Sequence, residues 1–235
     1  MLRTVAVIPC YNEAAHIAYI TEAALRHVGV VVVVDDHSVD DTGIAAGKAG
    51  ATVIRNTTPV SGTGHATQMG INYALFLKAD IVVTLDGDGQ HAPDEIPRLL
   101  RPIEKREADM VVGSRFLVPD YKMPRYRDLG EKLLIWACGL RNGDRVSDIL
   151  SGYRAFDRKV LEKVKITNTR FGFTVETLLK AQKAGFRVTE VPVSCIYHRG
   201  HADNSTYNPW RHGTEELKAI AKWRWRLRQS TGREY

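Results

Sequence analysis

Ile81-Val82-Val83-Thr84-Leu85-Asp86-Gly87-Asp88-Gly89-Gln90-His91 sets an apolar, β-branched run directly against two carboxylates separated by one glycine. In extended chain, side chains at i and i+2 point the same way, so Asp86 and Asp88 leaving a strand would converge on one cation. Gly87 and Gly89 would let a ligand approach the backbone. Hard oxygen donors of this kind suit Mg2+ or Mn2+ shared with substrate phosphates. An Asp-x-Asp pair arises by chance about once in a chain this long, so its neighbours must decide its meaning.

Those neighbours repeat one pattern. Through residue 115, short β-branched runs (Thr4–Pro9, Val30–Asp35, Thr52–Ile54, Asp80–Leu85, Met110–Gly113) alternate with helical patterns over 13–27, 40–49, 64–78 and 94–105. This predicts repeated βαβ units and a mostly parallel sheet flanked by helices, with Asp40 and Asp94 as N-caps. In open α/β sheets ligands bind beyond the carboxyl ends of the strands. Residues 9–13, 35–38 and 86–91 all fall at such ends and would share one crevice. Beyond Arg115 the texture changes: Val118–Arg127 reads as a loop able to cover a ligand, followed by helical patterns near 128–140 and 173–184 and a strand-like run Val188–Ile196.

Composition narrows the class. With 235 residues, 44% of them hydrophobic, the chain can bury a substantial core. Its three cysteines, Cys10, Cys138 and Cys195, are far apart and lack metal-ligand spacing, which fits a reducing cytoplasm. No stretch reaches the ~18 apolar residues of a membrane span, and strand pattern by Thr4 leaves no room for a signal peptide. The net charge of +6 favours anionic partners such as nucleotide-sugars, lipid phosphates or acidic membranes. The basic residues are spread along the chain without a recognition motif, which sets nucleic acid aside.

Taken together, Val7-Ile8-Pro9-Cys10-Tyr11-Asn12-Glu13, Val34-Asp35-Asp36-His37-Ser38, Asp86 to His91 and Gly113-Ser114-Arg115-Phe116 resemble the family 2 glycosyltransferases of the GT-A fold. Ser151-Gly152-Tyr153-Arg154-Ala155-Phe156 and Glu190-Val191-Pro192-Val193 look like the dolichol-phosphate mannosyltransferase and polyprenyl-phosphate glycosyltransferase branch. The resemblance implies a Rossmann-like, mostly parallel α/β sheet over residues 1–212, with a nucleotide-sugar half to about 115, an acceptor half to 212 and a helical tail over 213–235. It implies inverting transfer from a UDP- or GDP-sugar to a polyprenyl phosphate, with Mg2+ or Mn2+ held by Asp86, Asp88 and Gln90. By the same pattern Pro9, Tyr11, Glu13, Asp36, Asp86, Gly87 and Asp88 would line the nucleotide-sugar site, and Asp88 and Arg115 would carry catalysis. Arg115, Arg125, Ser151 and Arg154 would meet the acceptor phosphate, with Asp148 available to orient an arginine.

Three further expectations remain open at this level. Gly62, Gly64 and Gly70 read either as ligand contacts or as turn chemistry. Trp223 and Trp225, set among cations, read either as a peripheral contact with the cytoplasmic membrane face or as a packed helix. A transferase acting on a saccharide hydroxyl is the nearest alternative; it would need a general base, for which Asp148 and Glu176 are the candidates.

Overall fold

The structure, a computed structural model, describes residues 2–118, 146–196, 218 and 220–223. In chain order the elements are β1 (Thr4–Cys10), α1 (Ile17–Leu25), β2 (Val30–Asp35), α2 (Thr42–Lys48), β3 (Thr52–Arg55), α3 (Thr63–Phe76), β4 (Ile81–Thr84), α4 (Ile96–Glu104) and β5 (Met110–Ser114). Then come β6 (Arg154–Asp157), α5 (Arg158–Lys163), α6 (Phe173–Lys183) and β7 (Val188–Pro192). They build one seven-stranded sheet in the order β3-β2-β1-β4-β6-β5-β7. β6 runs antiparallel to both its neighbours, and the other pairings are parallel.

The strands are apolar on both faces because both faces are covered. Val5 and Val7 of β1, Val32 and Val34 of β2, and Met110 and Val112 of β5 pack with Ala66 and Ile71 of α3 and Val175 and Leu178 of α6. The alternate residues Ala6, Ile8, Val31, Val33 and Val111 face Ile17 and Ile20 of α1 and Leu99 and Ile103 of α4. Gly70 makes the first layer tight: a Cβ there would stand 2.3 Å from Val7 Cγ1.

Three local predictions change, the first at α2, whose N-cap is Asp41 rather than Asp40. α1 starts at Ile17 rather than Glu13, since Asn12 takes a left-handed φ of 58° and the Glu13 N–H donates to Thr42 Oγ1 at 2.8 Å. Asp94 does not cap α4; its carboxylate accepts from Arg26 Nη2 and lies 3.1 Å from His27 Nε2 at the surface. The lid and the helix expected over 118–140 lie almost wholly outside the described residues. In the tail, residues 220–223 are helical, and Ile220 and Trp223 are buried in the α3–α6 layer. Lys180 Nζ sits 4.1 Å from the Trp223 ring centroid, so Trp223 is a core residue; Trp225 lies outside the described residues.

Candidate active site

The sheet order reverses between β1 and β4, the switch point at which open α/β sheets leave a crevice. Val7 lies opposite Thr84, so the chain leaving β1 at Cys10 and the chain leaving β4 emerge side by side. The contact is close: a Cβ on Gly87 would stand 2.4 Å from Cys10 Sγ. Gly87 thus seats the loop on β1. The loop then turns sharply. Asp88 Oδ1 accepts from Gln90 N at 2.9 Å, Gly89 takes φ 78°, and His91 Nδ1 accepts from Asp86 N at 3.1 Å. Antiparallel β6 brings a second segment to the same edge. Thr84 Oγ1 donates to Gly152 O at 2.7 Å, and a Cβ on Gly152 would lie 3.1 Å from Asp86 Oδ1.

Three carboxyls dominate the electrostatics. Asp86, deep in the crevice but with 40% of its side chain open, is pushed up to about 6 by burial, with Arg115 pulling the other way. Burial and the Asp86 charge raise Asp88. Burial, then Asp88, Asp40 and Asp86, push Glu13 up to about 7. Carboxyls raised by burial, with the neighbouring carboxylates adding to the rise at Asp88 and Glu13, are an all-oxygen set that a hard cation relieves. Among the described residues no three His, Cys, Asp or Glu side chains form a ready metal cage. A cation here would complete its shell with ligand phosphate oxygens and water, the usual manner of Mg2+. The donor set fits that ion. Gln90, the third expected ligand, has its Oε1 3.9 Å from Cys195 Sγ.

A sequence model of the family described as Glycosyl transferase family 2 matches residues 5–165. The chain belongs to this family. Among curated relatives, the undecaprenyl-phosphate mannosyltransferase of Micrococcus luteus is 34% identical over 210 residues, covering 83% of this chain and 84% of the relative. The polyprenol monophosphomannose synthase of Mycolicibacterium smegmatis is 32% identical, covering 82% and 77%. These relatives group the chain with the polyprenyl-phosphate branch of family 2. Among solved structures, glucosyl-3-phosphoglycerate synthase from Mycobacterium tuberculosis, in complex with Mn2+ and UDP-glucose, superposes with a TM-score of 0.74 at 22% identity, covering 96% of this chain and 79% of that one. That likeness is one of GT-A fold.

In this family 2 transferase the wall beside the carboxyls is built on Asp36. It accepts from Asn56 Nδ2 at 2.7 Å and from Gly62 N, at the start of α3, at 2.7 Å. Pro9 is part of β1, while Tyr11 is 56% exposed at the crevice mouth. Asn56 is buried just past β3, and its place at a strand's carboxyl end is what marks it in the sequence. On the other wall the Arg115 fork grips Asp148, Nε to Oδ2 and Nη2 to Oδ1 both at 2.7 Å. Asp148 is completely buried, and Glu190 Oε1 in turn accepts from Asp148 N at 3.0 Å. Glu190 is a second such residue; its clue in the sequence is a carboxylate inside an apolar strand run.

Several expected contacts are replaced by internal ones. Arg154 does not reach the crevice. It is wholly buried, and its guanidinium donates to Ser151 O, Thr174 O, Thr177 Oγ1 and Ile149 O at 2.5–2.9 Å. Ser151 is 3% exposed, its hydroxyl accepting from Tyr153 N at 3.3 Å. Arg125 lies outside the described residues. Gly62 and Gly64 answer to packing, since a Cβ on either would stand 2.4 Å from Thr169 O or 2.1 Å from Asn168 O. Glu176 holds that 167–170 segment: its carboxylate accepts from Thr167 N, Thr167 Oγ1, Asn168 N and Lys180 Nζ.

Proposed function

We propose that this chain transfers a sugar, with inversion, from a nucleoside-diphosphate sugar to the phosphate of a polyprenol. The observation that carries the reading is the convergence of Glu13, Asp86 and Asp88, all raised, in the switch-point crevice of a family 2 transferase. Asp86 and Asp88, with Gln90, would hold Mg2+ or Mn2+. When bound, that ion supplies positive charge to the leaving diphosphate. Pro9, Tyr11, Glu13, Gly87 and Asp36 would line the nucleotide side, and Arg115, fixed by Asp148, would face the phosphates. Arg125 is the acceptor-side residue in this reading; Ser151 and Arg154 support that segment from within.

A phosphate acceptor is already anionic at neutral pH and needs positioning more than deprotonation. A saccharide hydroxyl would need a base. The two candidates, Asp148 and Glu176, are fully buried and committed to Arg115 and to the 167–168 backbone, which favours the phosphate. The relatives carry mannose in two names, whereas the Methanococcus voltae relative is a UDP-N-acetylglucosamine–dolichyl-phosphate transferase, so both donor classes belong in the test. A panel of GDP- and UDP-sugars with a short polyprenyl phosphate and Mg2+ or Mn2+ should give one glycosylated lipid by mass. Transfer to free saccharides alone would replace this reading by the hydroxyl one. No helix among the described residues is long and apolar enough to cross a membrane; contact with a cytoplasmic membrane face is part of the proposal, since a polyprenyl phosphate is a membrane lipid.

A further inference from the structure

We propose that His91 is a positioning residue: its ring nitrogen fixes the backbone of the 86–90 loop and thereby aims the Asp86 and Asp88 carboxylates. The inference deepens the reading of that loop as the cation and diphosphate site, and rests on it.

The strand ladder ends one residue too early to hold the loop. Leu85 N still donates to Val7 O at 3.2 Å, but Asp86 N donates instead to His91 Nδ1 at 3.1 Å. An imidazole nitrogen that accepts a hydrogen bond carries no proton, so the ring proton sits on Nε2. The ring itself is immobilised. His91 is 6% exposed and stacks on Tyr153, with centroids 4.9 Å apart and planes inclined by 27°. Tyr153 is fully buried, and its hydroxyl donates to Ala92 O at 2.9 Å, tying the far side of the same turn.

The geometry separates this task from ligand binding. His91 Nδ1 is 3.6 Å from Asp86 Oδ2, too far for a hydrogen bond. The ring therefore uses the Asp86 amide and leaves the carboxylate for other partners. With the Asp88–Gln90 bond inside it, the turn is closed at both levels by acceptors facing backbone N–H groups. Partners that orient metal-binding carboxylates in this way commonly change metal affinity about 10- to 100-fold when removed.

Two substitutions divide the ring from its acceptor. Asn places a carbonyl oxygen where Nδ1 stands, and Phe keeps the stacking ring without an acceptor. In the full chain, Asp86 amide hydrogen exchange should accelerate in His91→Phe and stay slow in His91→Asn. Mn2+ alone, titrated by electron paramagnetic resonance, should bind about 10- to 100-fold more weakly to His91→Phe and nearly normally to His91→Asn. In 15N-histidine spectra of the unsubstituted protein, His91 should show a bare Nδ1 and a protonated Nε2. The opposite tautomer, or an Asp86 amide equally protected in His91→Phe, overturns the proposal whether or not Mn2+ binds. Unsubstituted protein that ignores Mn2+ while the exchange pattern holds would instead refute the metal reading of the loop.

Discussion

Replacing Asp88 with Asn should stabilise the protein at pH 8 while abolishing sugar transfer. Asp88 is the largest charge acting on Glu13, and Asp86 is the largest acting on Asp88. Carboxyls raised in the folded state keep protons that the unfolded chain has already released. Their stabilisation is complete below the unfolded pKa and is lost as pH climbs through the folded one. For Glu13 that window runs from 4.5 to about 7, and for Asp86 from 3.8 to about 6. At ~1.36 kcal/mol per pH unit the Glu13 displacement alone would reach about 3 kcal/mol, which solvent screening of this part-exposed side chain reduces to about 1–2 kcal/mol. Asn keeps the acceptor for Gln90 N, now at 2.9 Å, and removes one charge. The expected gain at pH 8 is about 1 kcal/mol, or about 2–4 °C in Tm for a chain this size. Melting curves from pH 4 to pH 8 in chelator should converge at low pH and separate above pH 6. A variant that melts at or below the parent at pH 8, with the same pH slope, would refute the repulsion argument.

Other outcomes follow from single contacts. Gly87→Ala should cost about 1–3 kcal/mol by overpacking against Cys10, and adding Cys10→Ala should recover most of it in a thermal double-mutant cycle. Arg154→Met should lower stability by at least about 3 kcal/mol by stranding buried carbonyls; a variant that folds normally yet loses acceptor affinity would restore Arg154 to the crevice. Arg115→Ala leaves the completely buried Asp148 charge without its fork, so it should both slow transfer and cost about 3 kcal/mol in chemical denaturation. Slowed transfer at unchanged stability would show that the ion pair is not what holds the 146–149 segment.

The parallel half of the fold was legible because its central strands are buried and β-branched, as in Val31–Val34, and because their ends carry Glu13, Asp36 and Asp86. A chain that alternates strand and helix has few topologies, and each puts those ends on one edge. β6 was not legible: Arg-Ala-Phe-Asp has too few apolar residues to read as a strand, and its antiparallel placement depends on partners about 45 and 70 residues away in sequence. Arg154 shows the same limit at the level of one side chain. An arginine beside a Ser-Gly motif reads as a phosphate ligand until Ile149, Thr174 and Thr177 are seen to surround it. Glycines were ambiguous for a related reason, since Gly64 and Gly87 answer to atoms on other segments, and Gly62 answers both to Thr169 O and to its own φ of 125°. Carboxylates at strand ends could be placed from chain order; neighbours brought by loops could not.

The most direct test of the central claim is transfer itself, with radiolabelled GDP-mannose and UDP-sugars, a short polyprenyl phosphate and Mn2+, comparing the parent chain with Asp88→Asn. The account predicts labelled polyprenyl-phosphate sugar from the parent, none in excess chelator and none from the variant although it folds. Equal labelling by the variant, or full transfer in chelator, would contradict it.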